Sequence, residues 1–275
     1  MSPPFDADGL ELSARLEPDF HHVHADARIG VSFTRTLRVP DDGCAGTVPA
    51  GLDRLPMARV RDLRGTMPDD WERAQGIVLP VYQSEAVRVL LDSPLGYPWA
   101  VKVLADARNA LTGRPWQPEL VRRPPNYIMV PCRNHLDRVP GMDGRPKQIV
   151  ARPLHEADTS RGPVFDAAAI RSLHIAVTPL AADRWRRGRR ATGLSDPYGL
   201  DDWDERHTQT CVVRLVQAQR WREVSGQSVP HAPISRDLYS GARVPWLESY
   251  RVDHEVPNRG RRLGVLDEPE WDRSA

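Results

Sequence analysis

Tyr82, Gln83 and Glu85 fall within four residues beside a strand-like run, and Lys102 stands in the element that follows. A carboxylate near an amine can act as base and orienter, or clamp a polar ligand, once burial shifts their protonation equilibria. Tyr82, Glu85 and Lys102 are therefore the candidate catalytic set, with Gln83, Asn109 and Tyr127 as candidate ligand-binding groups. Lys102 gains weight because it and Lys147 are the only lysines in a chain that otherwise uses arginine. The competing account is a solvated or ion-paired set, with the Lys102 stem lying over apolar neighbours.

A second constellation is Arg184-Trp185-Arg186-Arg187-Gly188-Arg189-Arg190. An aromatic among guanidinium groups can stack on a base while the cations meet phosphates, so Arg184, Trp185 and Arg186 are candidate ligand-binding residues for single-stranded nucleic acid. The net charge of only +1 and the acidic stretch 196–205 oppose this reading, since that stretch can neutralise the run internally. Residues 196–205 also present oxygen ligands, but without the spacing of an EF-hand, and turn formation accounts for them equally well. His21, His22 and His24 could bind a transition metal, yet no second cluster supplies further ligands, and a solvated loop is the simpler account. No metal site is assigned, and the cofactor is unknown.

Other chemistries lose support from missing motifs. The sequence holds no G-x-S-x-G elbow, no G-x-x-x-x-G-K-[ST] phosphate loop, no G-x-G-x-x-G and no H-E-x-x-H. Cys44, Cys132 and Cys211 are odd in number and far apart, which argues against a disulfide framework or a thiolate zinc site and reads them as buried small apolar residues.

The elements that must position these groups are mainly strands. Period-two alternation predicts strands over Leu10–Leu16, Ile29–Val39, Val87–Leu91, Tyr127–Val130, Ile149–Leu154 and Leu173–Val177. Spacings of three and four through Ala100, Val103, Leu104, Ala107, Ala110 and Leu111 predict a short helix that Gly113 ends, with a strand over Trp99–Val103 running into a shorter helix as the alternative. Gly226 ends the segment beginning at Cys211 in the same way. The two endings admit an internal duplication of 100–113 and 213–226, with a shared helix-ending geometry as the favoured account. The 26 prolines imply many short, stiff connections.

With 275 residues and 40% hydrophobic content, the chain can build a sizeable core. No apolar run approaches the ~20 residues of a membrane span, and the acidic start MSPPFDADGLEL lacks a signal-peptide core, so a soluble, cytoplasmic protein is expected. The expected fold class is α+β, predominantly antiparallel β with a few short helices and two related halves as an option. Residues 1–256 form the expected domain and 257–275 a loosely held polar tail.

The blocks FTRTLRVPDDG (33–43), VYQSEAVRVLL (81–91), AVKVLADARNALTG (100–113), NYIMVP (126–131), DPYGLDDWD (196–204) and PISRDLYSGARVPWLESY (233–250) together resemble a family of uncharacterised bacterial proteins with the same blocks in the same order. The resemblance covers most of residues 30–250 and implies no known activity. Its members resemble A-V-K-V-x-x-G-K-I-N-A-V-T-G in the central block, where this chain has Asp106 and Ala107 in place of Gly-Lys. They also carry Gly-Tyr-Thr after P-L-G, where this chain reads PLHEADT over 153–159. The resemblance therefore implies a divergent member. The leading expectation is non-catalytic binding of a protein partner or small molecule. An enzyme built on Tyr82, Glu85 and Lys102 is the alternative, and nucleic-acid binding through 184–190 is disfavoured.

Overall fold

The computed structural model describes residues 12–39, 49–63, 69–141, 144–151, 169–170, 172–188, 196–218 and 221–246. Along them run β1 (Gly30–Leu37), β2 (Ala58–Arg59), α1 (Asp69–Ala74), β3 (Ile77–Val81), β4 (Glu85–Asp92), β5 (Trp99–Ala105) and β6 (Arg108–Asn109). Then come β7 (Ile128–Val130), β8 (His135–Leu136), β9 (Arg138–Pro140), β10 (Pro146–Gln148), β11 (Val150–Ala151), β12 (Ala169–Ile170) and β13 (Ser172–Pro179). The order closes with α2 (Ala182–Arg186), β14 (Gln209–Gln217), α3 (Trp221–Ser225) and α4 (Arg236–Gly241). The fold is α+β and predominantly antiparallel; β14 with β3 and β11 with β12 are the parallel pairs among the described residues.

Two sheets carry the core. One has the order β1-β4-β8; the other runs β2-β3-β14-β13-β5-β6, with β7 also on β5. Alternation sends Val31 and Phe33 of β1 and Val87, Val89 and Leu91 of β4 to one side. They join Val101, Val103, Leu173, Ile175 and Val213 of the larger sheet in one buried cluster. The apolar faces of both sheets are thus buried together, as in sheet-on-sheet packing.

The chain passes from one sheet to the other in three residues. β3 belongs to the larger sheet and β4 to the smaller, and Tyr82–Ser84 join them in a tight turn closed by Glu85 N–H donating to the Tyr82 carbonyl at 3.0 Å. This switch fixes where Tyr82, Gln83 and Glu85 lie.

The helix expected in 100–113 does not form. β5 is buried at all seven positions, so Ala100, Val103 and Leu104 mimic helical spacing while standing on opposite faces of a strand. Asp106 and Ala107 take positive φ, 44° and 67°, and form the two-residue loop of the β5–β6 hairpin. Positive φ at 106 is also the conformation a glycine adopts most readily. Beyond it, the Asn109 side-chain oxygen accepts from the N–H groups of Leu111 and Thr112, turning the backbone away from a helix. Gly113, with φ +68°, closes that turn, whereas Gly226 does follow a helix, α3.

Over 12–16 an expected strand is reduced to isolated bridges, Ser13 with Met57 and Leu16 with Val31. Between them the Ser13 hydroxyl bonds both the N–H and the carbonyl of Arg15, which kinks the chain. Other expected strands appear as β1, β4, β7 and β13, while the run from Ile149 survives as β11 and continues outside the described residues, where Cys44 and 257–275 also lie. Cys132 and Cys211 form no disulfide among the described residues and are only half-buried, because each sits at the margin of the core. Among the described residues no helix is long and apolar enough to cross a membrane.

Candidate functional site

Arg35 and Glu85 begin the site. In the β1–β4 register Arg35 faces Val87 and Leu37 faces Glu85, so the two charges are diagonal neighbours on one face. Glu85 is 0% exposed, and its Oε1 lies 3.1 Å from Arg35 Nη1. Its Oε2 accepts the Tyr82 N–H at 3.2 Å and lies 3.3 Å from His231 Nε2. Arg35 also donates to Asp53 at 2.8 Å and to the Ala232 carbonyl at 2.6 Å. Burial works against the Arg35 cation, but the hydrogen bonds and charges of Asp53 and Glu85 outweigh it and raise its pKa.

The loop 227–235 closes over this charge pair. Tyr82 donates its hydroxyl proton to the His231 carbonyl at 3.2 Å, and its ring meets the His231 ring edge-on at 5.3 Å. Burial, and next the Glu85 charge, push the Tyr82 hydroxyl pKa up, so it acts as a neutral donor. Beyond the loop, α4 delivers Tyr239, whose hydroxyl accepts from Arg38 N–H and donates to the Ser84 carbonyl, each at 2.7 Å. Ser235 caps α4 by accepting from Leu238 N–H. Sequence-distant segments are thus clasped onto the sheet switch by polar contacts.

Chemically, a carboxylate accepting from His231 Nε2–H holds the ring in the tautomer whose Nδ1 carries a lone pair. Nδ1 has no partner among the described residues and is enclosed. The pair can therefore orient an imidazole, and its surroundings make it a clasp first.

Lys102 is placed elsewhere. Its register partner on β13 is Ala176, whereas Val101 and Val103, on the core-facing side, pair with Val177 and Ile175. Lys102 therefore stands on the opposite face of the larger sheet from the shared core. It is 3% exposed, and its Nζ donates to the carbonyls of Gln117, Pro118 and Glu119 at 2.9, 2.6 and 3.1 Å. Trp116 lies over the ammonium at 4.4 Å. Burial lowers its pKa to about 8, against the opposing pull of Glu205 and Glu119. Three accepting carbonyls match the three protons that only the ammonium carries. Tyr82 and Glu85 are brought together; among the described residues Lys102 shares no hydrogen-bond partner with them.

The other expected residues are built into the fold. Gln83 accepts from Arg38 through its carbonyl and from Gln217 Nε2 through its side chain. Asn109 donates to the Asn126 carbonyl at 2.6 Å. Tyr127 donates to Asp196 at 2.5 Å; burial, then that carboxylate, push its hydroxyl pKa up. Trp185 is buried against Tyr97 and donates to Asp26 at 2.9 Å, while Arg184 pairs with Asp202 at 2.7 Å. Arg186 lies on α2 at the surface. The acidic stretch thus does neutralise part of the arginine run, whose residues 189–190 lie outside the described residues.

A cleft of about 250 Å³ opens between the sheets towards the other end of β1, beside Val31. Its floor is Leu16, Val31, Met57, Ile77, Ile175 and Val177. Arg15, Glu17, Arg59 and Asp62 form its charged rim, and Thr210 and Cys211 of β14 complete the wall. Gly30 lets the Arg15 guanidinium lie over β1: a Cβ there would come within 2.0 Å of Arg15 Nε. Arg15 then pairs with Glu17 at 2.9 Å and Asp92 at 3.0 Å.

Sequence reasoning missed Arg35, Asp53, His231 and the whole cleft. Arg35 was detectable, because it holds an inward position in the alternation Val31, Phe33, Arg35, Leu37. A charge there demands a partner, and Glu85 occupies the matching position ahead of Val87, Val89 and Leu91. His231 carries no such local signal. Compared with known proteins, the chain matches no family model, no curated protein and no solved structure.

Proposed function

We propose that this protein binds a small molecule, without transforming it, in the cleft between the two sheets. The observation that carries the reading is the cleft itself: an apolar floor supplied by both sheets and a charged rim, the combination typical of small-ligand sites. A cavity of roughly 150 Å³ holds a benzene-sized guest. About 250 Å³ therefore suits one ring or a short branched chain with a polar end.

The test is a fragment screen by thermal shift on wild-type protein and on Gln209→Trp, whose register partner Val177 is a floor residue, so that the indole enters the cleft; Cys211→Phe, opposite Ile175, is the second plug. A ligand that binds only the folded state raises its apparent melting temperature. The reading expects hits in the wild type that both plugs abolish. Hits that survive both plugs, or none in the wild type, would reject it.

The enclosed Glu85–His231 pair favours a second reading, proton transfer by His231 with Glu85 as its orienter. It requires that the 227–235 loop expose Nδ1. Acylation of His231 by diethylpyrocarbonate at a rate near that of exposed His135 would support it; strong protection would leave the pair as a clasp.

A further inference from the structure

The rim charges are unequally committed, and this asymmetry bears on what the cleft holds. Arg15 is ion-paired to Glu17 and Asp92, and Asp62 lies 3.6 Å from Arg61 Nε. Arg59, exposed, has no ion pair or hydrogen-bonding side-chain partner among the described residues. Its register partner is Ile77, a residue of the cleft floor, so β2 sets the Arg59 side chain on the cleft side of the sheet. The site therefore has an apolar floor, paired acids and one uncommitted guanidinium beside it.

Resting on the small-molecule reading above, we infer that the ligand is a compact organic anion, a carboxylate borne on a single ring or short branched chain. Its apolar body fills the space between Val31, Ile77 and Ile175, and its carboxylate meets the Arg59 fork. A planar guanidinium matches a carboxylate with two parallel N–H donors, which a neutral amide cannot equal. Arg59 repels a cationic ligand of the same shape, while Glu17 and Asp62, already paired with Arg15 and Arg61, oppose the incoming anion less than free carboxylates would.

The experiment is isothermal titration calorimetry with benzoate and its neutral isostere benzamide at low salt, on wild-type protein and Arg59→Gln. The expected result is benzoate binding about tenfold tighter than benzamide, since hydrogen bonds to a charged partner are roughly twice as strong as neutral ones. Arg59→Gln should remove that preference, bringing benzoate down to the affinity of benzamide, with the melting temperature of the ligand-free protein unchanged. Equal binding of the two probes, or a preference that survives Arg59→Gln, would overturn the anion inference while the small-molecule reading stands. If neither probe binds but the fragment screen finds plug-sensitive ligands, the inference fails alone. If that screen is also empty, both fail together.

Discussion

Two buried charges of opposite sign satisfy themselves in different ways. Lys102 is surrounded by the backbone of one short segment, the carbonyls of 117–119, which any side chains there would still present. Glu85 is surrounded by a cation on the neighbouring strand, one backbone N–H, and a histidine 146 residues away. A charge met by backbone depends on the path of one loop. A charge met by side chains ties distant parts of the chain into one unit, and losing either partner leaves the other charge buried.

The sharpest way to break the comparison is Glu85→Ala. It leaves Arg35 with the exposed Asp53 as its remaining counter-charge, opens a cavity where Glu85 had no solvent exposure, and should lower unfolding stability by about 3 kcal/mol, read as a fall in the urea midpoint. Lys102→Met keeps the stem and its packing on Trp116 but deprives three carbonyls of their donor. Its expected cost is smaller, about 1–3 kcal/mol by the same denaturation. If Lys102→Met proved the more damaging, the contrast between backbone and side-chain solvation would be reversed.

His231→Gln sharpens the picture on the Glu85 side. It removes a 3.3 Å contact and an edge-on ring, while Arg35 and the Tyr82 N–H remain, so about 1 kcal/mol is expected. A loss as large as that of Glu85→Ala would make the histidine, rather than Arg35, the principal partner.

The last test is a pH slope. The Lys102 pKa falls from 10.5 in an exposed state to about 8 in the fold. Between those values the unfolded chain holds a proton that the folded chain releases, so wild-type stability should rise with pH relative to Lys102→Met. Chemical denaturation of both proteins across pH 8 to 10.5 measures the difference. A slope of the opposite sign would mean that the three carbonyls hold the proton more firmly than burial expels it.

How much of this was legible follows from the range of each interaction. Strands β1, β4 and β13 were readable because alternate residues of each meet the shared core, and alternation records that locally; β7 was readable as a short apolar run. β5 was read as a helix, with a strand from Trp99 as the alternative that the fold adopts, because both its faces are buried and the period is erased. Tyr82 and Glu85 could be singled out together because one tight turn holds them. Adding Lys102 to them followed nearness in sequence across a change of sheet and face that periodicity does not report.

What the sequence by itself determined is the strand-rich class, the strands β1, β4 and β13, and a carboxylate beside a strand whose burial would demand a counter-charge. The tertiary structure alone decided that His231 and Tyr239 close over that pair, that Lys102 faces away from it, and that a cleft remains beside Val31. The division is physical. Backbone periodicity and turn chemistry act over a few residues, whereas the meeting of distant segments and the space left between two sheets depend on how whole faces pack.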